Sequence, residues 1–247
     1  MRIPIIAGNW KMYKTVSEGI TFLKEFLLHI HPSHMLEVVI APPYTLLYSL
    51  NRYITERNYS ISLSSQDMFW IEEGAYTGAI SPLMIKDTGC KYAILGHSER
   101  RQYFNDTDEI VNKKIKACFK NNILPILCVG EVLEERESGN TAKVVEKQLS
   151  NSLSDIKTEE LAHIIIAYEP VWAIGTGKTA TPDIAEEVHS YIRKFIHDMS
   201  NDHTSQSIRI LYGGSVKPDN IAGLMSMPNI DGALVGGASL HAESFAA

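Results

Sequence analysis

Three ionisable residues follow short apolar runs of this 247-residue chain. Glu169 ends the run at 164–168, His97 follows the run at 92–95, and Lys11 lies just beyond the first run. A carboxylate whose basicity is tuned by burial and a nearby cation can serve as a general base. A histidine there can donate a hydrogen bond to a reacting group, and a lysine can hold an anion. These residues are therefore candidates for acid–base chemistry on an anionic substrate.

The residues after His97 favour a catalytic over a structural interpretation. Alone, His97 would fit a packed core histidine equally well. The segment 98–102 predicts a short helix that begins there. A helix N-terminus disfavours an imidazolium, so we expect a neutral His97 that donates a hydrogen bond.

Two glycine pairs follow the last two apolar runs and indicate a phosphate site. One pair precedes Ser215, and the other is Gly236 and Gly237. Paired glycines let backbone N–H groups converge on an anion, although either pair alone would also fit a tight turn. Together with Gly175 and Lys11, they favour a small phosphorylated substrate.

The segment 170–178 has an apolar middle and glycines near its end, which is typical of a lid over a site. Gly175, Gly177 and Ala180 also match a dinucleotide-binding fingerprint. They lie several residues beyond the apolar run, so the required tight turn is missing. Residues 177–179 resemble the end of a P-loop whose first glycine is absent. Both nucleotide interpretations are disfavoured.

Short apolar runs alternate with amphipathic stretches along the whole chain. Several runs are apolar on both faces, which favours a parallel sheet covered on both sides. The eight predicted strands are 3–7, 37–41, 60–64, 92–95, 124–129, 164–168, 209–212 and 233–235. Eight strand-plus-helix units of this size predict an α/β fold, a single (β/α)8 barrel domain over 1–247. In such barrels the chemistry lies at the carboxyl ends of the strands.

Capping patterns predict where the helices between these strands begin. Ser, Thr or Asp with a glutamate three residues later, and proline in the first turn, both mark helix starts. The expected starts are Thr15 with Glu18, Asp106 with Glu109, Thr181 with Pro182, Pro82 and Pro218.

Composition excludes several classes of function. The formal net charge is -6 and the sequence lacks a Lys/Arg cluster, so we expect no nucleic-acid partner. No apolar run reaches 18 residues and no signal peptide is visible, which predicts a cytoplasmic protein without a membrane partner. Three cysteines and the absence of metal-ligand spacings indicate reduced core thiols and no metal.

Four ordered segments, 7–12, 95–101, 167–178 and 211–216, closely resemble the triosephosphate isomerase family. The resemblance extends from about residue 7 to residue 245. It implies the interconversion of dihydroxyacetone phosphate and D-glyceraldehyde 3-phosphate without a cofactor, in glycolysis and gluconeogenesis.

The resemblance also implies roles for individual residues. Glu169 would move a proton between two carbons through an enediolate, while neutral His97 would polarise the carbonyl. Asn9 and Lys11 would stabilise the oxyanion and the phosphate. The supporting residues are Ser98, similar to the residue that holds the base before the lid closes, and Glu99, similar to a carboxylate near the lysine. The positions that match the family's phosphate-binding residues are Gly175, Ser215, Gly236 and Gly237.

The family is typically a homodimer in which the loop after strand 3 inserts beside the partner's lysine. Here that loop is 66–79, with Thr77 near its tip. Asp67 stands where asparagine is usual, and Ala79 stands where glutamate is common. The carboxylate at position 67 is expected to add charge at the interface.

Two other functions remain open from the residues alone. A different phosphosugar barrel, such as an epimerase or a Schiff-base aldolase using Lys11, would share the fold and the phosphate turns. A catalytically silent barrel would serve as a binding or scaffold protein; it would be favoured by loss of the base, the lid or the phosphate turns, all of which are present.

Overall fold

A computed structural model of the chain describes residues 2–30, 33–174 and 180–247. Eight parallel strands follow one another around a closed barrel. They are β1 Ile5–Asn9, β2 Glu37–Ala41, β3 Ile61–Ser65, β4 Tyr92–Leu95, β5 Leu124–Val129, β6 Ile165–Tyr168, β7 Arg209–Tyr212 and β8 Gly232–Val235. This is the (β/α)8 barrel that the alternation of apolar runs predicts.

Helices connect the strands and cover the outside of the barrel. Those described are α1 Val16–His29, α2 Tyr44–Thr55, α3 Pro82–Asp87, α4 Ser98–Phe104, α5 Asp108–Lys120, α6 Leu133–Glu137, α7 Thr141–Ser152, α8 Thr158–Leu161, α9 Pro182–Met199, α10 Asp202–Ser207, α11 Ile221–Met225 and α12 Ala242–Ala246. Two 3-10 helices, Val171–Ala173 and Gly237–Leu240, follow β6 and β8.

The strands separate two hydrophobic layers. Tyr92 and Ile94 of β4 belong to the cluster inside the barrel, whereas Ala93 and Leu95 belong to the cluster between sheet and helices. Side chains alternate between the two faces of a strand, so both sets of residues must be apolar. The physical cause of the uninterrupted apolar runs is therefore burial on both sides.

Several predicted strand boundaries are confirmed and others are shifted. β2, β4, β5 and β7 have the predicted bounds, and β6 and β8 differ by one residue. The prediction for the first strand was wrong by two residues, because Ile3 is 49% exposed and the strand begins at Ile5. β3 is likewise shifted by one residue. Asn9 is consequently the last residue of β1 and does not lie beyond it.

Three of the predicted helix starts are confirmed. Glu18 accepts a hydrogen bond from the backbone N–H of Thr15 at 2.7 Å, and α1 begins directly after Thr15. Thr181 caps α9 by accepting from the N–H of Ile184 at 3.3 Å, with Pro182 in the first turn. Pro82 opens α3.

The other two predicted starts were wrong. Thr107 caps α5, accepting from the backbone N–H of Ile110 at 3.3 Å. Asp106 is buried and forms ion pairs with basic side chains. Pro218 lies in a turn three residues before α11 begins at Ile221. Neither the tertiary ion pairs of Asp106 nor the turn is visible in local spacing.

None of the helices in the described part of the chain is long and apolar enough to cross a membrane. Within the same residues, no group of three or more His, Cys, Asp or Glu side chains is arranged to hold a metal ion. The three cysteines are free and buried, as the cysteine pattern predicts.

Candidate active site

A cavity of about 540 Å³ opens at the carboxyl ends of the strands. It brings together most of the candidate residues found in the sequence. Those that line it are Asn9, Lys11, His97, Glu99, Glu169, Ser215, Gly236 and Gly237. Ser98 lines a neighbouring cavity that Glu169 also reaches. Gly175 and the lid residues up to 178 lie outside the described residues, while Ile174 lines the site cavity.

Glu169 follows β6 directly and is 2% exposed. Its backbone N–H donates to the carbonyl of Val129 at 2.8 Å, which extends the barrel pairing by one residue. A Cβ on Gly130 would lie 1.7 Å from the Glu169 carbonyl oxygen, and a Cβ on Gly213 would lie 2.9 Å from its Cγ. Both neighbouring strands must therefore be followed by glycine for Glu169 to fit.

The Glu169 carboxylate is held from two sides. The backbone N–H of Ser98 donates to Oε2 at 2.8 Å. Nε2 of His97 lies 2.9 Å from Oε1, yet Oε1 has no well-aligned hydrogen-bond donor among the described residues. Burial alone would raise the pKa of Glu169, but His97, the Ser98 N–H and Lys11 together hold it below its usual value. The group is thus an ionised carboxylate at neutral pH, with Oε2 held by the Ser98 N–H and Oε1 facing the His97 ring.

His97 is the N-cap of α4, as the sequence predicts. The backbone N–H of Glu99 donates to its Nδ1 at 3.2 Å. Burial opposes charge on the ring, whereas the Glu169 carboxylate raises the pKa of His97 above its usual value. An imidazolium would need a proton on Nδ1, directly facing the Glu99 N–H, so geometry favours a neutral ring protonated on Nε2.

We expect the His97 ring to be neutral at pH 7, because the Nδ1 lone pair accepts from the Glu99 N–H and this contact opposes the charge that Glu169 favours. Nitrogen-15 NMR of the labelled protein distinguishes the two ring states, with His97→Gln identifying the signal. An exposed histidine, His163, serves as the internal reference for the ring signals. An imidazolium signal from His97 at pH 7 would contradict the assignment.

Lys11 adopts a left-handed backbone, with φ of 52°. Its N–H donates to Oδ1 of Asn9 at 3.0 Å, and Nε2 of Gln66 donates to its carbonyl at 2.8 Å. Its ammonium lies 2.6 Å from Oε1 of Glu99. These contacts hold a non-glycine residue in a strained conformation and point its cation into the cavity. Sequence reasoning missed Gln66, whose partner lies 55 residues away.

Backbone lines the side of the cavity formed after β7 and β8. The Gly237–Leu240 turn is closed by a hydrogen bond from the Ser239 N–H to the Gly236 carbonyl at 2.9 Å. A Cβ on Gly236 would lie 3.8 Å from Cε of Lys11. The glycine turn and the lysine ammonium thus face the same space, as an anion site requires.

Sequence reasoning also missed Glu131, a fully buried carboxylate beside the start of the segment that follows β6. It accepts from the Tyr168 hydroxyl at 3.0 Å and from Nε1 of Trp172 at 2.9 Å, and Arg136 lies 3.2 Å away. It joins the end of β6 to the 3-10 helix Val171–Ala173. Its place two residues after β5 was the available signal, because every strand end in a barrel is a candidate position.

Glu131→Gln is expected to destabilise the protein by about 1–3 kcal/mol, because the amide places a donor among donors from Tyr168 and Trp172. Denaturant unfolding measures the loss. The matched control is Glu134→Gln, an exposed neighbour on α6, which should leave stability unchanged. Equal stability of the two variants would show that Glu131 does not anchor this segment.

The expectation that Asp67 adds charge at an interface needs correction. Asp67 is 7% exposed, and its carboxylate lies 2.7 Å from Nζ of Lys114 and 2.9 Å from Nε of Arg100. Asp106 contacts the same two cations at 2.7 and 2.9 Å. Two carboxylates and two cations compensate one another within the chain, so the residue's charge is neutralised where it lies.

The closed barrel, with a buried carboxylate, a histidine and a lysine meeting at its carboxyl end, has the architecture of a (β/α)8-barrel enzyme. A family model described as triosephosphate isomerase matches residues 4–247. Similar proteins named triosephosphate isomerase include those of Geobacter metallireducens, 53% identical over this whole chain and 98% of the relative, and of Endomicrobium trichonymphae, 54% identical over 99% and 97%. The relative from Dictyoglomus thermophilum is 52% identical over 99% of this chain and 98% of its own.

The chain belongs to the triosephosphate isomerase family. It is therefore an isomerase, and the resemblance of the four sequence segments is confirmed.

Proposed function

We propose that this protein interconverts dihydroxyacetone phosphate and D-glyceraldehyde 3-phosphate, without a cofactor, as a cytoplasmic enzyme of glycolysis and gluconeogenesis. The observation that carries the proposal is the buried, ionised Glu169, whose Oε1 lies 2.9 Å from His97 at the cavity wall. The two oxygens of Glu169 differ in their surroundings: Oε2 is held by the Ser98 N–H, and Oε1, which faces His97, would take the proton from the substrate.

The proposed chemistry moves one proton between two carbons. Glu169 takes a proton from the carbon next to the carbonyl, and the C–H electron pair becomes the enediolate double bond as the carbonyl oxygen gains negative charge. Nε2–H of His97 donates to that oxygen and passes hydroxyl protons between the two oxygens. The protonated Glu169 then returns its proton to the neighbouring carbon, which completes the isomerisation. Lys11 and Asn9 stabilise the negative charge.

The phosphate is proposed to bind at the glycine turns. Ser215, Gly236 and Gly237 contribute this wall of the cavity, and Lys11 supplies the cation. The family resemblance adds Gly175, which lies outside the described residues. Closure of the segment 170–178 would exclude water from the enediolate and limit its loss of phosphate by elimination. Ser98 and Glu99 hold Glu169 and Lys11 before the substrate arrives.

The decisive test is a coupled assay for conversion of D-glyceraldehyde 3-phosphate, run in D₂O and repeated with borohydride. Proton transfer through an enediolate predicts product deuterated at the carbon that received the proton. If the protein were a Schiff-base aldolase, borohydride would instead trap the substrate covalently on it. A scaffold protein would show neither deuterated product nor trapping. Active conversion without trapping supports the proposal; absence of conversion by folded protein would overturn it.

We further propose that residues 1–247 form one domain and assemble as a homodimer through the loop 66–79. The tip of this loop, residues 73–78, is exposed, and the ring of Phe69 packs against those of Trp70 and Tyr76. Met12, next to Lys11, is 93% exposed. Large apolar side chains exposed beside a site are typical of surfaces that bind another protein copy.

Thr77→Arg is expected to weaken this dimer by about tenfold or more, since a bulky charge at the loop tip must be desolvated on docking. Sedimentation over a range of concentrations measures the association. Ser138→Arg, a change at an exposed site remote from the loop in sequence, is the control. A wild-type protein that remains monomeric at all concentrations would refute the dimer.

A further inference from the structure

Lys14 lies three residues beyond Lys11 but does not line the site cavity. Its ammonium donates to the backbone carbonyl of Leu240 at 2.8 Å. Leu240 is the last residue of the 3-10 helix Gly237–Leu240, which begins in the cavity wall. One side chain therefore ties the loop after β1 to the loop after β8, across 226 residues of sequence.

The Lys14 side chain is held on two aromatic faces. Its Nζ lies 5.3 Å from the ring centre of Trp10 and 5.0 Å from that of Phe22. Trp10 is fully buried, so the ring on which the Lys14 side chain rests is held rigidly. Cation–π contacts of this kind are worth about 0.5–2 kcal/mol and fix the direction of the ammonium.

The backbone at Lys14 is strained. Its φ is 74°, and Lys11 in the same loop has φ of 52°. Left-handed dihedrals at non-glycine residues persist where surrounding contacts compensate for them, and they concentrate at functional sites. The loop that carries Lys11 is thus held in shape partly by where the Lys14 side chain binds.

The opposite end of this contact is the proposed phosphate turn. A Cβ on Gly237 would meet no atom within 4 Å, so side-chain packing does not restrain the turn at that point. Elsewhere in the turn, the Ser239 N–H and hydroxyl both donate to the Gly236 carbonyl, and Ala238 and Leu240 pack against the hydrophobic core. A charge-assisted bond to Leu240 supplies the restraint toward the Lys11 loop.

We propose that Lys14 is a positioning residue, which fixes the Gly236–Gly237 turn at a set distance from the Lys11 loop so that both can bind one phosphate. The inference rests on the proposed function, because that function assigns the phosphate to this turn. Lys14 itself does not touch the substrate.

The test is Lys14→Met, which keeps an unbranched apolar stem over Trp10 and Phe22 but removes the donor. Binding of inorganic phosphate, measured by calorimetry, should weaken by about five- to tenfold, the loss expected for one hydrogen bond. KM for the triose phosphate should rise by the same factor while kcat changes less than twofold. Lys14→Arg should restore both values to within about twofold.

Two further variants separate the effect of the Lys14 side chain from that of backbone strain and from that of losing a positive charge. Lys14→Gly relieves the left-handed strain but has no donor, so it should bind phosphate as weakly as Lys14→Met. Lys24→Met removes an exposed lysine of α1 and should bind phosphate as the wild type does. If Lys14→Met is poorly folded, Lys14→Gly replaces it as the variant without a donor in the comparison with Lys14→Arg.

The outcomes also distinguish this inference from the proposed function. Wild-type phosphate affinity in Lys14→Met or Lys14→Gly, or a fall in kcat with KM unchanged, would overturn the positioning role. Wild-type protein that binds phosphate but does not isomerise triose phosphates would overturn the proposed function alone, because the phosphate titration of Lys14→Met still reports on the turn.

Discussion

Glu169→Gln is expected to reduce turnover by about a thousandfold, because the amide cannot accept the proton that the carboxylate removes from carbon. The amide has nearly the same shape, so the barrel should fold and its cavity should still bind inorganic phosphate. The coupled isomerase assay measures turnover, and calorimetry measures phosphate binding. A loss of turnover with unchanged phosphate affinity would identify Glu169 as the base, because it would show that the substitution affects the chemical step and not phosphate binding.

A second variant at the same position tests geometry separately from acid–base strength. Glu169→Asp keeps the carboxylate but withdraws it by one methylene, and a misplacement of about 1 Å costs on the order of a hundredfold. Its turnover should therefore lie between those of wild type and Glu169→Gln. Wild-type turnover in either variant would show that another residue is the base.

Gly130→Ala is expected to disrupt stability and activity together. The added Cβ would lie 1.7 Å from the carbonyl oxygen of Glu169 and 2.6 Å from its carbonyl carbon, so the end of β6 must shift. Overpacking a well-filled interior costs about 1–3 kcal/mol, and displacement of the base costs about a hundredfold in kcat. Denaturant unfolding and the isomerase assay measure the two effects.

The matched control is Gly223→Ala in α11. There the new Cβ would lie 3.5 Å from the Pro182 ring, an ordinary van der Waals contact, and alanine favours a helix over glycine. Gly223→Ala should therefore be as stable as wild type or slightly more so. If Gly130→Ala were also as stable and as active as wild type, the close approach of the ends of β5 and β6 would not determine the position of Glu169.

The main features of the fold were predictable because each is encoded locally. Burial on both faces leaves an apolar run in the sequence, and eight such runs predict eight strands. The family resemblance rests on short segments at the strand ends, where Asn9 ends β1 and His97 and Glu169 follow the strands that position them. Boundaries were less certain, as with β1, where an exposed Ile3 extends the apolar run beyond the paired residues.

Residues whose partners lie far along the chain could not be placed from sequence. Asp106 looks like a helix cap by spacing, yet it pairs with Lys114 and Arg100 in the interior. Asp67, 39 positions earlier, shares both cations. In the sequence, Glu131 cannot be distinguished from a surface glutamate. Only the structure shows that Trp172 and Tyr168 donate hydrogen bonds to it.

By itself, the sequence determined the barrel class, the family and the residue types at the ends of the strands, because these depend on local patterning. Only the tertiary structure decided which oxygen of Glu169 is held by Ser98 and which faces His97, that Nδ1 of His97 accepts a hydrogen bond, and that Lys14 reaches Leu240. The reason is physical: hydrogen-bond direction and charge compensation depend on distances of a few ångströms between residues tens to hundreds of positions apart, and no local pattern records them.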